Sequence, residues 1–181
     1  MKKSHILIVL FTYVFLYTKL YSECDTNALR TVTFYYFNNN IECKIQVDYC
    51  CDIVQGFHNF RILQIRIFPP CDSTIYENDK RGVTDKIIEK IAEHGQDKCW
   101  GRIPNCKDGE LCIVRWEDEI CYSRWVYKPE PDAHWEMVKC DIPTRCNETV
   151  RICWDGQKYI ITRQGYVSPP CPNGCRDNCG Y

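Results

Sequence analysis

The sequence predicts a mostly β, small α+β fold in which antiparallel sheets are built from hairpins and held together by disulfides. The chain has 15 cysteines in 181 residues, a fraction that is typical of disulfide scaffolds. Several short segments alternate apolar and polar residues, and Gly, Pro, Asn or Asp residues separate them, as expected for strands and turns. Only one segment, near residues 84–94, has helical periodicity instead.

Residues 1–22 have the three parts of a secretory signal peptide. Lys2 and Lys3 form the positively charged region, residues 6–17 form an uncharged apolar run, and Ser22 is a small residue before the expected cleavage point. The apolar run is shorter than the ~20 residues that a membrane-spanning helix needs. A membrane anchor is therefore the weaker interpretation.

The expected mature chain, residues 23–181, is a single disulfide-rich β domain that is secreted or retained in the cell envelope. A bacterial lipoprotein is the main alternative because Cys24 follows the apolar run closely, but Glu23 is not the small residue expected before a lipid-modified cysteine. No later apolar run is long enough to form a transmembrane span. Since an exported chain enters an oxidising compartment, its cysteines are expected to form disulfides.

The charge balance excludes some classes of partner. The 23 Lys and Arg residues nearly cancel the 24 Asp and Glu residues, which gives a formal net charge of −1. A strongly basic nucleic-acid binder is therefore not expected. Hydrophobic residues make up 45% of the chain, which excludes wholesale disorder.

The first strands can be placed by their pattern. Residues 31–37 and 41–51 are predicted strands joined by an Asn-rich turn, and residues 60–68 are the expected return strand. Residues 41–51 alternate cleanly between an apolar and a polar face. Cys50 and Cys51 then point to opposite faces, so they should bond to different partners.

Two segments, 43–71 and 146–171, resemble two copies of one hairpin unit. Each begins with two cysteines separated by six residues, contains a glycine 15 residues before its last cysteine, and ends in Pro-Pro-Cys. The second copy has a strong turn signal at Asp155-Gly156. Chance similarity within a cysteine-rich chain is the alternative explanation.

Hairpin geometry predicts that Cys43 bonds to Cys71. In an antiparallel hairpin the start of the first strand lies opposite the end of the second, and the midpoint of these two cysteines lies beside Gly56. Neighbouring strands can bring two Cα atoms within the roughly 4.4–6.8 Å that a disulfide requires. By the repeat, Cys146 should bond to Cys171, although the Asp155-Gly156 turn centres that hairpin too early.

The odd number of cysteines leaves at least one thiol for another use. It is a buried free thiol, or it links the chain to a second copy or to another partner. Cys171, Cys175 and Cys179 are spaced by four, but the surrounding Pro and Gly residues disfavour the helix that would turn this spacing into a metal site. The chain also lacks any C-x-x-C pair. We therefore predict no metal and no cofactor.

The middle of the chain contains the predicted helix and a predicted third hairpin. Residues 83–94 carry an apolar stripe, and Gly95 follows as the expected helix-ending residue. Residues 112–126 are expected to form a hairpin with Cys112 opposite Trp125, which would place tryptophans over cystine sulfur in a core. A ligand platform formed by tryptophans is the alternative. The other face of this hairpin would present a small cationic and aromatic patch made of Arg115, Tyr122 and Arg124.

Few residues point to catalysis, and no catalytic residue is predicted. The predicted mature chain has His58, His94 and His134, and none lies in a recognised metal or nucleophile motif. Glu117, Asp118 and Glu119 could supply paired carboxylates, but adjacent acids at a hairpin tip are usually solvated. Asn147-Glu148-Thr149 is an acceptor sequence for N-glycosylation.

These observations favour a secreted or surface-exposed cysteine-rich module with a binding or structural role. Its partner would be a protein or a surface ligand of a kind that the sequence does not specify. A small secreted hydrolase or effector is the alternative, with His134 or the carboxylates near Glu117 assembled by loops. Export, many cysteines and the absence of a catalytic motif favour the module over the enzyme.

Overall fold

The protein is described by a computed structural model that covers residues 28–38, 41–54, 56–118, 120–142 and 144–179. The predicted signal peptide, residues 1–22, lies outside the described residues. In chain order the elements are β1 (Leu29–Asn38), β2 (Ile41–Val54), β3 (Phe57–Ile67), α1 (Thr74–Asn78), α2 (Lys80–Gly95), β4 (Leu111–Asp118), β5 (Cys121–Lys128), β6 (His134–Lys139), β7 (Arg145–Trp154), β8 (Tyr159–Ser168) and β9 (Arg176–Asp177).

These strands form one curled, nine-stranded sheet, and the predicted mostly β, disulfide-rich fold is confirmed. β3 lies at its centre. One side of β3 pairs with β2, which in turn pairs with β1, while the other side pairs with β4 near the start of β3 and with β6 near its end. β4 continues the sheet to β7 and β8, and β6 continues it to β5 and β9. Among the described ladders between named strands, β3–β4 is the parallel one.

The first three strands form where their alternation predicts them. On β2, Cys43, Ile45, Val47 and Tyr49 are each no more than 1% exposed, because every second side chain points to the same face. β2 and β3 pair antiparallel over most of their length, with an irregularity between Asp48 and Tyr49.

The predicted helix packs its apolar stripe against the sheet. α2 starts earlier than expected, at Lys80, because the Asp79 side chain accepts a hydrogen bond from the backbone N–H of Gly82. Gly95 serves packing rather than a left-handed helix end, since a Cβ there would lie 2.4 Å from the Trp100 indole. α1, a five-residue helix just before α2, was not predicted from the sequence.

The Cys43–Cys71 disulfide is present, with 5.6 Å between the two Cα atoms. The β2–β3 ladder ends at Ile45–Ile67. The chain then turns, with the Cys71 N–H donating to the Phe68 carbonyl, which brings Cys71 back towards the start of β2. Cys51 bonds to Cys99, and Cys50 is also disulfide-bonded, so these adjacent cysteines have different partners as expected.

The expected Cys146–Cys171 bond is wrong. The turn between β7 and β8 places Cys146 opposite Val167 in the antiparallel register, so Cys171 lies beyond the end of the ladder. Cys171 bonds instead to Cys121, and Cys146 bonds to Cys179 in the returning tail. The similarity between segments 43–71 and 146–171 therefore does not extend to their disulfides.

The expected hairpin over residues 112–126 is also wrong. β4 and β5 follow each other closely in the chain, but β4 pairs with β3 and β7, whereas β5 pairs with β6 and β9. Pairing β4 with β7 sets Ile113 opposite Val150 and Leu111 opposite Ile152 in an apolar layer. Burial of these side chains favours that arrangement over a local hairpin.

Disulfides fix the C-terminal tail. Its three cysteines bond to three separate parts of the sheet region, in the pairs Cys121–Cys171, Cys140–Cys175 and Cys146–Cys179. Within the described part of the chain, the free cysteine is Cys112, which is exposed at the start of β4. No helix among the described residues has the length and apolarity needed to cross a membrane.

Candidate functional site

The three candidate histidines lie in different parts of the fold, and His58 packs against Trp100 with ring centroids 6.5 Å apart. His134 is 9% exposed beneath Phe68, with their ring centroids 5.8 Å apart. Its Nδ1 contacts the Asp132 carbonyl oxygen, and its Nε2 lies 3.5 Å from a carboxylate oxygen of Glu136. His94 bonds to the Tyr49 hydroxyl at 2.8 Å. His134 therefore has a carboxylate neighbour but little access to solvent.

The acidic cluster and the glycosylation sequence lie on neighbouring strands. Glu117 and Asp118 belong to the end of β4, while Glu119 lies outside the described residues. Asn147 is exposed on β7, where its backbone pairs with that of Trp116. Among the described residues, no group of three or more His, Cys, Asp or Glu side chains is arranged to hold a metal ion.

The predicted surface patch of Arg115, Tyr122 and Arg124 does not form. Arg115 has no exposed surface and lies 3.4 Å from the buried carboxylate of Glu148. Tyr122 is 2% exposed, and its hydroxyl donates to Glu77. Arg115 is separated from the other two because β4 and β5 belong to different arms of the sheet. The β5–β6 ladder is irregular between Tyr122 and Arg124, and of the three residues only Arg124 is exposed.

A different set of residues, which the sequence did not single out, surrounds an open pocket of about 420 Å³. We call it the β7–β8 pocket, because it lies where that hairpin meets the segment after α2. Its volume falls within the roughly 300–1,000 Å³ typical of small-ligand sites. Its lining residues are Gln96, Arg102, Ile103, Pro104, Asn105, Asp108, Trp154 and Tyr159.

Two aromatic rings form one wall of the β7–β8 pocket. Trp154 is the last residue of β7 and Tyr159 the first of β8, so the turn between these strands sets them opposite each other. Their ring centroids are 4.8 Å apart and their planes are inclined by 60°. Gly156, at φ +106°, and hydrogen bonds from two backbone N–H groups to the Asp155 carboxylate hold this turn. Both rings are only half-buried and remain open to a ligand.

The opposite wall is a loop that covalent and hydrogen bonds fix to the end of β7. The Trp154 N–H donates to the Pro104 carbonyl, and the Cys106 N–H donates to the Trp154 carbonyl, both at 2.9 Å. The Cys106–Cys153 disulfide joins the same two segments, with 4.9 Å between Cα atoms. The Gln96 side chain also accepts from the Ile103 N–H. The pocket is therefore preformed.

Several polar groups at the pocket remain available to a ligand. The exposed side chains of Arg102 and Asp108 have no hydrogen-bond or ion-pair partner within the described part of the chain. Asn105 uses its side-chain oxygen to accept from the Lys107 N–H, which leaves its amide N–H groups to donate. The Tyr159 hydroxyl, by contrast, is already engaged: burial raises its pKa, and so do the charge of the Glu93 carboxylate and a hydrogen bond with it.

Sequence reasoning missed this pocket because its two walls are about fifty residues apart in the chain. The one local signal was a pair of aromatic residues flanking Asp155-Gly156, which placed them across a hairpin turn. Comparison of the chain with protein-family models, curated proteins and solved structures gives no match.

Proposed function

We propose that this chain is an exported, disulfide-stabilised binding module that holds its ligand in the β7–β8 pocket. The observation that carries this proposal is that the Arg102 and Asp108 side chains have no partner among the described residues and lie on a frame that the Cys106–Cys153 disulfide fixes in place. A rigid site with open polar groups loses little conformational entropy when a ligand binds.

The disulfides support the export that the proposal requires. Six are described in full, and bonds of this kind persist in extracellular and envelope compartments. The signal-like pattern of residues 1–22 supports the same route. A module whose two pocket walls are joined by the Cys106–Cys153 disulfide suits an oxidising environment.

The hydrolase alternative receives less support from the geometry. A general acid or base must come within hydrogen-bond reach of the substrate. His134 is enclosed by Phe68 and by the Asp132 carbonyl, and the neighbouring Glu136 is paired with Lys128 at 3.4 Å. The described residues that line the β7–β8 pocket include no histidine and one carboxylate, that of Asp108, so the pocket is better suited to binding than to acid–base chemistry.

Tryptophan indole NMR signals test the proposed site. The oxidised protein, labelled with ¹⁵N at its tryptophans, is titrated separately with disaccharides, nucleosides, dipeptides and short fatty acids. We expect the Trp154 indole signal to shift with one of these classes. The Trp100 and Trp125 indoles should not move, since they donate to the Ala92 carbonyl and the Glu77 carboxylate in the interior.

A shift confined to Trp154 and abolished in Tyr159→Ala would support the proposed site. Tyr127→Ala is the matched control, because Tyr127 also packs against a tryptophan at the surface, Trp135, with ring centroids 5.3 Å apart. If no probe class moves the Trp154 signal, or if the shifts centre on Trp135, the β7–β8 pocket is not the ligand site.

A further inference from the structure

We propose that the β7–β8 pocket binds a neutral saccharide, with one pyranose ring against the aromatic wall and its hydroxyls held by Arg102, Asn105 and Asp108. This inference rests on the proposed function, because it names the chemical class of ligand for the same site. It follows from the shape of the aromatic wall and from the combination of polar groups at the rim.

The aromatic wall suits the C–H face of a sugar ring. Trp154 and Tyr159 each present an apolar ring face together with a polar group. Their rings are inclined by 60° and so do not form the parallel slot that would sandwich a planar base. A pyranose needs only one aromatic face beneath it, which leaves its equatorial hydroxyls directed outward towards the polar rim.

The polar rim suits a ligand that is neutral but both donates and accepts hydrogen bonds. Asp108 is an acceptor and would repel an anion at short range, while Arg102 is a donor and would repel a cation. Asn105, which lies between these two residues in the sequence, adds amide N–H donors. Neighbouring hydroxyls of a sugar can donate to a carboxylate and accept from a guanidinium at the same time.

The openness of the site indicates an oligosaccharide rather than a buried monosaccharide. Arg102 and Asp108 are exposed, while Asn105 and both aromatic rings are half-buried. A bound oligosaccharide can therefore extend beyond the pocket on either side. The formal net charge of −1 does not favour acidic glycans. We expect neutral hexose or N-acetylhexosamine oligomers to bind more tightly than uronic-acid or sulfated oligomers.

A glycan array followed by calorimetry tests the inference on the full oxidised protein. The array should show binding to neutral oligosaccharides, and the best of these is then titrated into wild-type protein and variants. Arg102→Met and Asp108→Asn should each weaken binding by about tenfold to 100-fold, as expected when a hydrogen bond to a charged group is lost. Arg124→Met, which changes an exposed arginine on β5, should leave the affinity unchanged.

The outcomes separate this inference from the proposed function. If neutral oligosaccharides do not bind, or bind without any effect of Arg102→Met and Asp108→Asn, the inference is wrong. If a nucleoside or dipeptide shifts the Trp154 indole signal while no saccharide does, the pocket is a binding site for another class of ligand, and only the inference fails. Unchanged disulfide mapping in each variant excludes misfolding as the cause of lost binding.

Discussion

Arg115 and Glu148 lie opposite each other on β4 and β7, and neither side chain has any exposed surface. The Arg115 guanidinium lies 3.4 Å from the Glu148 carboxylate and also donates to the carbonyls of Asn178 and Cys179. Arg163, on β8, contacts the same carboxylate and the Cys179 carbonyl. Two arginines and one glutamate therefore hold the C-terminal tail beneath the sheet.

Replacing Glu148 should destabilise the protein strongly. Glu148→Gln removes the carboxylate that Arg115 and Arg163 share, although Arg163 keeps its ion pair with Asp85 at 2.8 Å. Breaking a buried ion pair in this way typically costs about 3–5 kcal/mol. The free energy of unfolding, measured by urea denaturation of oxidised protein, checks this.

Glu136→Gln is the matched control, because Glu136 is also 3.4 Å from its cationic partner, Lys128, but both are partly exposed. Exposed pairs contribute roughly 0–1 kcal/mol. Equal effects of the two substitutions would show that Glu148 does not hold a buried charge network.

The Cys43–Cys71 disulfide should be a main support of the first hairpins. Its removal by the double substitution Cys43→Ser/Cys71→Ser should lower the free energy of unfolding by about 2–5 kcal/mol, because the unfolded chain regains conformational freedom. Thermal and urea unfolding under non-reducing conditions measure the change. Cys112→Ser removes a thiol that is not in a disulfide and should leave stability unaltered. A double variant as stable as Cys112→Ser would contradict the prediction.

Cys112 should be the cysteine that reacts with thiol reagents in native protein. It is exposed, while the other described cysteines are in disulfides. Maleimide labelling without reductant, followed by peptide mass spectrometry, should place the label on the peptide that contains Cys112. Labelling at Cys106 or Cys153 instead would mean that the disulfide that joins the two pocket walls is not formed.

His94 should titrate below the pKa of about 6.5 of an unperturbed histidine. Burial is the largest cause of this lower pKa, and the charges of Lys98 and Arg30 lower it further. The folded state therefore binds this proton less readily than the unfolded state. The contribution of His94 to stability is complete above about pH 6.5 and is lost as the pH falls through the folded pKa.

An NMR titration of the His94 ring protons gives this pKa directly. Lys98→Met should move it upward, because the Lys98 amine lies 3.2 Å from Nε2 of His94. A pKa at or above the unperturbed value in wild-type protein would contradict the burial of this ring beside Tyr49.

Export should produce a mature chain that begins at Glu23. Expression of the full sequence in a secreting host, followed by intact-mass and N-terminal analysis, measures the cleavage point. The same spectra report any glycan on Asn147. Retention of residues 1–22 on the exported protein would contradict the signal peptide and weaken the proposed location.

Local patterns predicted the parts of the fold that depend on neighbouring residues. The alternation in residues 41–51 placed a strand, and the turn beside Gly56 placed Cys71 near Cys43. The apolar stripe of α2 could also be predicted from residues close together in the chain, and each of its isoleucines is buried as expected. The spacing of apolar residues and the identity of the turn residues are sufficient to predict these features.

Partners that are distant in the chain could not be predicted in this way. A strand pattern identifies β4 as a strand but does not say that it pairs with β7 rather than with β5. The register of β7 and β8 moved Cys146 away from Cys171, and only the returning tail supplied Cys179. The β7–β8 pocket likewise depends on a contact between distant parts of the chain, which the Cys106–Cys153 disulfide makes.

Intermolecular NOEs between the protein and a bound neutral oligosaccharide show directly whether the ligand lies against Trp154 and Tyr159. The experiment uses oxidised protein with the tightest ligand from the glycan array. We expect NOEs from the ring protons of Trp154 and Tyr159 to C–H protons of one pyranose. NOEs from Trp135 and Tyr127 instead, or no NOE to either aromatic pair, would contradict it.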